Sequence, residues 1–240
     1  MHYILLMVKS KFTNYHCLSP YVWLYNYLFV SGYSEGLAET AKFKQITALT
    51  QLADKYIVVD AGNHCLRNIV PKLQPNNQTA WSSSVLTGTC EQSGNRDGDF
   101  LQARFQRPWD VAQKDTFLYL TDRENRKIKR LDLTWNLVST VHSSEYKLKY
   151  LAPGANPLEF YVTMDHALFH VYNQTENIVF GKIGCEIFNF REEFRGAGFY
   201  FPSQISWLDD KKLVVADQGV NAIKVIDLEN QAVQAVCSGR

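Results

Sequence analysis

The sequence lacks two features that would narrow its function at once, a long apolar segment and an excess of charge. No run of 18 apolar residues occurs, so hydropathy predicts no transmembrane helix. The 25 Lys and Arg residues nearly balance the 24 Asp and Glu residues, which leaves a net charge of +1. Nucleic-acid binding driven by bulk charge requires a basic excess, and nucleic acid is therefore not the expected partner.

The sequence also lacks the short motifs that mark common catalytic and metal sites. It contains no Cys-x-x-Cys, no Gly-x-Ser-x-Gly, no phosphate-binding loop and no dinucleotide fingerprint. His166 and His170 do not form a His-Glu-x-x-His motif. Asp97 and Asp99 could together hold Ca²⁺, but two carboxylates on a loop are more often simply solvated. We therefore expect no catalytic residue, no metal and no cofactor.

What the sequence does contain is the composition of a packed protein and an internal repeat. Hydrophobic residues make up 46% of the chain and aromatic residues 13%, which is typical of a folded domain. Four short apolar segments each end in Asp, and these Asp residues are 62, 43 and 52 positions apart. A period of about 45 residues, with insertions, is typical of propeller blades. The four residues are Asp60, Asp122, Asp165 and Asp217.

Each repeat shows the same order of signals around its Asp. A short apolar strand precedes the Asp-ended strand, and an Asn-containing turn leads into a third strand, because Asn tolerates the left-handed conformation. We predict four-stranded antiparallel blades that stack, because one blade cannot cover both its own faces. A two-sheet sandwich, the competing fold, has no such period. The signature residues beside the Asp set are Asn63, His64, Arg67, Asn125 and Asn221.

These motifs carry a resemblance to a known family. Asn-His-x-Leu-Arg at 63–67, and Ala-Arg-Phe-x-x-Pro at 103–108 before the strand that ends at Asp122, resemble the NHL repeat, which is named for its Asn-His-Leu triplet. The resemblance covers about residues 30–239. It is weakest around Asp165, where the Asn turn is lost. It implies an all-β propeller of the NHL type.

The resemblance implies six blades, whereas four are recognisable in this chain. We assign residues 21–240 to NHL-type blades, with 21–30 as the outer strand of an earlier, partial blade. Residues 1–20 form an N-terminal segment and a candidate strand of an incomplete blade. Either the third repeat contains further strands or the chain is a fragment of a longer protein, and its end where a next blade would begin favours a fragment. Four blades do not assure closure of the ring.

Two of the five cysteines, Cys65 and Cys90, are placed to form a disulfide. They fall at the start of the third strand and the end of the fourth strand of the first blade. A hairpin that sets them opposite each other also pairs Arg67 with Gly88. Opposed residues in such a hairpin have Cα atoms about 4.5–5.5 Å apart, which a disulfide accepts. The alternative is two buried free thiols.

Two sequons also bear on the compartment of the protein. Asn77 and Asn173 each begin an Asn-x-Thr triplet, and both fall in predicted loops between third and fourth strands, where a glycan could project. Together with the cysteine pair they predict an extracellular glycoprotein. The N-terminus carries no recognisable signal peptide, because Lys9 and Lys11 interrupt the apolar start of the chain.

The resemblance implies a non-enzymatic binding scaffold whose loops hold a protein or glycan partner at one face of the propeller. Two alternatives stay open. One is an RNA-binding module similar to those of tripartite-motif proteins, in which the basic stretch 123–130 would contact phosphates. The other is a metal-dependent lyase similar to the peptide-amidating lyase, which requires histidines from several blades to converge on the axis. The residues that contact a partner are not predicted.

Overall fold

In the computed structural model the described residues are 31–75, 78–181, 183 and 198–238. Within them the chain forms β-strands, turns and short 3₁₀ segments, and no α-helix. This part of the chain has no helix that is long and apolar enough to span a membrane. The segments 1–20 and 21–30 and the sequon residue Asn77 lie outside the described residues.

The strands form four antiparallel sheets in chain order, and each sheet is one blade. The predicted all-β propeller of four-stranded blades is confirmed, with a two-residue fifth strand added to the outer strand of blades 1 and 2. Blade 1 contains β1 (Gly36–Leu37), β2 (Ile46–Leu52), β3 (Lys55–Asp60), β4 (Cys65–Leu73) and β5 (Thr79–Thr87). Blade 2 contains β6 (Gly98–Asp99), β7 (Pro108–Lys114), β8 (Phe117–Asp122), β9 (Lys127–Asp132) and β10 (Leu137–Ser143). Blade 3 contains β11 (Tyr150–Pro153), β12 (Phe160–Met164), β13 (Ala167–Tyr172) and β14 (Thr175–Gly181). Blade 4 contains β15 (Pro202–Asp209), β16 (Lys212–Asp217), β17 (Ala222–Asp227) and β18 (Ala232–Ser238).

The core lies between the blades, because each strand places alternate side chains on opposite faces of its sheet. Ile57 and Val59 of β3 are fully buried against Leu118 and Leu120 of β8. Similar clusters join blade 2 to blade 3 and blade 3 to blade 4. The first strands of successive blades, β2, β7, β11 and β15, pack side by side. Each such side chain contributes about 1.5–3 kcal/mol on burial, so blade stacking dominates the stability of the fold.

Cys65 and Cys90 form the predicted disulfide, with a Cα–Cα distance of 5.1 Å. The strand register used to predict it is wrong, because β4 pairs Arg67 with Val85 and not with Gly88. A β-bulge next to Arg67 shifts the pairing, and Cys90 lies beyond the end of β5. The disulfide therefore joins the first residue of β4 to a residue beyond the end of β5, and not two residues that are paired in the hairpin.

Gly88 explains how the chain returns to Cys65 after β5 ends. It has a φ of +87°, in the left-handed region that favours glycine. An added Cβ would lie 3.0 Å from both the His64 carbonyl and the Phe105 ring, and 3.2 Å from the Cys65 Cα. The backbone therefore approaches the start of β4 closely, and Cys90 follows within bonding reach.

Candidate functional site

The turns between second and third strands share one geometry in blades 1, 2 and 4. In each, the second strand ends at a buried Asp, a three-residue 3₁₀ turn follows, and the next residue is left-handed. We call the surface formed by the second-to-third-strand turns of all four blades, with the segments that enter the first strands, the turn face. The Asp residues are Asp60, Asp122 and Asp217, and the left-handed residues are His64, Arg126 and Asn221.

Each of these Asp residues joins its turn to the segment that enters the first strand of the same blade. The carboxylate accepts hydrogen bonds from backbone N–H groups there, at 2.8 to 3.3 Å. A buried N–H without a partner costs about 1–3 kcal/mol, so the carboxylates stabilise the turn. The donors are Lys44 and Gln45 for Asp60, Gln106 for Asp122, and Tyr200 for Asp217.

Asn63 and Asn125 hold the same turns from the other side. The side-chain amide of each donates to the Asp of its own turn, at 2.8 and 2.7 Å. It also donates to a carbonyl of the incoming segment, Gly32 for Asn63 and Gly94 for Asn125. These two residues therefore have the structural role that their place in the repeat indicates.

Asn221 does not belong with Asn63 and Asn125. It is the left-handed residue of its turn, equivalent to His64, and Val220 stands at the position of the bracing Asn. Matching the repeats by residue type alone assigns Asn221 to the position of Asn63 and Asn125. This assignment is wrong, since Asn221 lies one position further from its Asp than Asn63 and Asn125 do.

A buried cation lies seven residues after each of the three Asp residues. Arg67, Lys129 and Lys224 are 0%, 0% and 2% exposed. Arg67 donates to the carbonyls of Lys42 and Ser34, both at 2.6 Å. A buried cation is costly unless it is paired, and Arg67 Nη1 lies 3.6 Å from Asp60 Oδ2, while its Nε has no hydrogen-bond partner among the described residues. The sequence prediction included Arg67 alone, and the constant offset from Asp is the signal that would have found both lysines.

The buried lysine contacts the Asp of its own turn in blade 4 but contacts a different residue in blade 2. Lys224 Nζ lies 2.9 Å from Asp217 Oδ2. Lys129 Nζ instead lies 2.5 Å from Asp97 Oδ1, and the Asp97 side chain stays exposed on its loop while it makes this ion pair. Asp122 lacks a direct bond from a cation among the described residues, and burial raises its pKa to about 6.

Blade 3 departs from this pattern. Asp165 lies just beyond β12 in a two-residue turn, with a φ of +44° and an exposed side chain that pairs with Lys149 at 3.8 Å. An apolar cluster of Met164, Ala167 and Phe169 takes the place of the buried Asp and cation. The prediction that Asp165 ends its strand as the other three Asp residues do is therefore wrong, because this shorter apolar hairpin needs no carboxylate to bridge it.

His64 links blades 1 and 2 on the turn face. Its Nδ1 accepts a hydrogen bond from the N–H of Arg107 at 3.0 Å, and the Arg107 guanidinium donates to Gln45 at 2.8 Å. Burial, together with the charges of Lys44 and Arg107, lowers the pKa of His64. The neutral ring therefore prevails at pH 7 and can accept this bond.

The turn face carries more cations than carboxylates. Glu124 pairs with Arg123 and Lys147, and the hydrogen bond from Lys147 lowers the pKa of Glu124. Arg107 and Arg126 form no ion pair with a carboxylate among the described residues. Because the whole chain has a net charge of +1, positive charge is concentrated here. The cations are Lys44, Arg107, Arg123, Arg126, Lys147 and Lys149, and the carboxylates are Glu91, Glu124, Glu145 and Asp165.

The basic stretch 123–130 is divided among three environments. Arg123 and Arg126 belong to the turn face, and Lys129 is buried. Arg130 packs over the ring of Phe117 at 4.9 Å. The stretch is therefore not one continuous surface for phosphates.

Aromatic side chains border the turn face where blade 3 meets blade 4. The rings of His166 and Tyr200 stack with centroids 5.5 Å apart, and Phe201 lies 5.2 Å from His166. Phe201 is 46% exposed. Aromatic side chains and Arg are the residue types enriched in protein interfaces.

The remaining candidates lie away from the turn face. Within the described residues no group of three or more His, Cys, Asp or Glu side chains is arranged to hold a metal ion. His142 and His170 each pair with a glutamate, Glu176 and Glu159 respectively, at 2.6 and 2.8 Å. The sequon residue Asn173 is exposed in the turn between β13 and β14.

Comparison with known proteins finds partial similarity in sequence. No protein-family model matches the chain. NHL repeat-containing protein 2 of Gallus gallus is 43% identical over 49 residues, which cover 20% of this chain and 7% of that protein. NHL repeat-containing protein 2 of Homo sapiens is 33% identical over 91 residues, which cover 38% of this chain and 11% of that protein. The chain thus matches about a tenth of the length of these relatives.

The fold is shared with solved propellers at low identity. A streptogramin B lyase structure is similar with a TM-score of 0.51 and 9% identity, over 84% of this chain and 57% of that chain. This likeness shows the fold alone. The partial matches to NHL repeat-containing protein 2 confirm the resemblance to NHL-type propellers that the repeat predicted.

Proposed function

We propose that this chain is a non-enzymatic binding scaffold whose turn face binds an acidic surface of a partner protein. The observation that carries the proposal is the excess of cations over carboxylates on that face of a nearly neutral chain. Complementary charge speeds association and selects the partner. Exposed Arg and aromatic side chains such as Arg126 and Phe201 supply the contacts typical of protein interfaces.

The titratable groups of the repeat support a scaffold role because they are occupied by structural bonds. Asp60 and Asp217 hold backbone N–H groups and contact buried cations. His64 accepts the Arg107 N–H. A general acid or base must be able to reach a substrate proton, and these groups already bond the fold itself.

RNA is the second candidate, because a basic face with an exposed aromatic ring also suits a single strand. The carboxylates of Glu124 and Asp165, set among the cations, favour a protein partner. They would repel phosphates but can pair with the lysines or arginines of a protein partner.

Charge reversal on the turn face tests the proposal. The double substitution Lys44→Glu with Arg107→Glu reverses two exposed cations, and Lys72→Glu is the matched control on the exposed end of β4 away from that face. A partner captured by the wild-type chain from proteins of the source organism is then titrated against all three proteins. We expect at least roughly tenfold weaker binding, about 1.4 kcal/mol, for the double variant and no change for Lys72→Glu.

Binding that is unaffected by the double substitution would contradict the proposal. A fluorescent single-stranded RNA is titrated in parallel at several salt concentrations. RNA affinity that falls steeply with salt, and that the double substitution abolishes, would select the RNA-binding alternative.

A further inference from the structure

One position on the turn face presents its side chain to solvent in two of the blades. It is the residue immediately before the first strand, Arg107 before β7 and Phe201 before β15. Both residues are exposed and left-handed, with φ values of +49° and +65°. Gln45 and Lys149, in the same place in blades 1 and 3, are not left-handed and are partly buried. The same backbone geometry thus presents a cation in blade 2 and an aromatic ring in blade 4.

The contacts around Phe201 hold its ring at the surface, where the residue is 46% exposed. Its carbonyl accepts the N–H of Gln218 at 3.2 Å. The centroid of its ring lies 4.7 Å from that of Tyr200 and 5.2 Å from that of His166. A positive φ is unfavourable for a bulky residue and persists only where the neighbouring contacts impose it. A ring that is already fixed loses little entropy on binding, which favours it as an anchor for an apolar group.

The charges beside the two exposed positions differ. Arg107 forms no ion pair with a carboxylate among the described residues. At the other end of the turn face, Asp165 precedes His166, whose ring contacts Phe201, and the exposed Asp165 carboxylate lies 3.8 Å from Lys149 Nζ. This pair leaves no net charge next to the aromatic ring. A carboxylate of a ligand is therefore attracted to the blade 2 end, and an apolar group is favoured at the blade 4 end.

We propose that the turn face recognises an extended acidic segment of its partner protein that also carries a bulky apolar side chain. Carboxylates of the segment pair with Arg107 and Arg126, and the apolar side chain packs on the ring of Phe201. The Arg107 guanidinium donates to Gln45 and has further N–H groups for a carboxylate. This inference rests on the proposed function and specifies the sequence of the partner segment.

The distance between the two positions sets the length of that segment. The first strands β7, β11 and β15 pack side by side, so Arg107 and Phe201 are two blades apart. Packed sheets are roughly 10 Å apart, which places the two positions within roughly 20 Å of each other. An extended chain rises about 3.3 Å per residue, so about six residues join the carboxylates to the apolar side chain.

Synthetic peptides test the inference. The probe is Glu-Glu-Ser-Thr-Ser-Thr-Phe, made in both sequence orders because either order satisfies the spacing. One control peptide has Ser in place of Phe, and another has Gln in place of both Glu residues. Each peptide is titrated against the wild type, Phe201→Asn and Leu208→Asn. Asn tolerates the left-handed conformation, and Leu208 is 58% exposed near the other end of β15, away from the turn face.

We expect the wild type and Leu208→Asn to bind the Phe peptide at least roughly fivefold more tightly than the Ser peptide. Phe201→Asn is expected to bind both peptides equally, and as weakly as the wild type binds the Ser peptide, because only the ring contact is lost. The double variant Lys44→Glu with Arg107→Glu is expected to lose the preference for Glu over Gln.

The inference is overturned if no peptide binds, if the wild type does not distinguish Phe from Ser, or if Phe201→Asn still distinguishes them. When the preference for Glu persists but the preference for Phe is absent, the proposed function stands and this inference alone fails. When no peptide binds, titration of the captured partner protein still tests the proposed function by itself. Single-stranded RNA that binds more tightly than any peptide, and that depends on Phe201, would assign the ring to base stacking and also overturn the inference.

Discussion

At the scale of the residue, the pKa of a carboxyl group depends on whether a cation bonds to it directly. Asp97 has a lysine nitrogen at 2.5 Å, and although burial opposes it, the hydrogen bonds from Lys129 and Thr140 lower the pKa of Asp97. Asp110 and Asp122 have no such ion pair among the described residues, and burial raises the pKa of each to about 6. Their neighbours thus give residues of one type different charge states at the same pH.

Asp110 provides a test of this difference. It is 5% exposed and accepts the N–H of Leu151 at 2.9 Å, across the contact between blades 2 and 3. Because the folded pKa is raised from 3.8 to about 6, its contribution to stability is full below about pH 4 and is lost as the pH rises through about 6. The loss amounts to about 3 kcal/mol. Asp110→Asn keeps an acceptor oxygen and cannot ionise, so we expect it to be more stable than the wild type at pH 7.

Urea unfolding at a series of pH values from acid to neutral measures this effect. The free energy of unfolding of Asp110→Asn is expected to fall less steeply with pH than that of the wild type. Asp54→Asn, in the exposed turn between β2 and β3, is the control and is expected to follow the wild type. Parallel curves for Asp110→Asn and the wild type would show that Asp110 does not titrate in this range.

At the scale of the element, the sequence predicts those strand ends that a local pattern determines. The ends of β3, β8 and β16 at Asp60, Asp122 and Asp217 follow from an apolar run, an Asp and a turn that are contiguous in the chain. The bulge beside Arg67 could not be predicted, because no residue type marks it and one extra residue shifts the whole β4–β5 register. The hairpin after Met164 similarly has the apolar strand followed by Asp, but an apolar cluster replaces the buried Asp and cation of the other blades.

Contacts between segments that are far apart in the chain explain the other features that could not be predicted from the sequence. The buried side chain of Arg67 bonds residues 25 and 33 positions away, and that of Lys129 bonds a residue 32 positions away. A repeat shows that these positions are equivalent but not which carbonyl or carboxylate each cation reaches. The turn face, the candidate site, could therefore be anticipated as a set of turns, while its charge balance required the structure.

The disulfide provides the prediction at this scale. It links the start of β4 to the residue beyond β5 across a sequence separation of 25, and the chain-entropy model gives such a link roughly 3 kcal/mol. Peptide mapping of unreduced protein from a secretory host is expected to recover Cys65 joined to Cys90. The double variant Cys65→Ala with Cys90→Ala is expected to unfold more easily by about that amount, and to be insensitive to reductant.

Free thiols at both positions in secreted protein would contradict this prediction. They would also remove the main support for an extracellular location, which stays a prediction, since cytosolic reductants keep such thiols reduced.

At the scale of the whole molecule, each blade is stable because the next one covers its face. Leu66, Ile128 and Ile223 occupy equivalent positions at the start of the third strands of blades 1, 2 and 4. Their exposed fractions are 0%, 0% and 46%. The first two lie in the clusters shared with the following blade. The same kind of side chain thus contributes differently according to whether a blade is stacked on it.

Truncation of Ile128 and of Ile223 tests how much burial between blades contributes to stability. Both are isoleucines in matching strands, so truncation to alanine changes strand propensity equally, and the difference in cost reports packing. Ile128→Ala removes a fully buried side chain and is expected to cost about 2–5 kcal/mol in the free energy of unfolding, whereas Ile223→Ala is expected to cost less than about 1 kcal/mol. Urea unfolding with unchanged denaturant slopes measures both costs in the same folded state. Equal costs would mean either that Ile223 is covered in the folded protein or that burial between blades is not what stabilises the third strands.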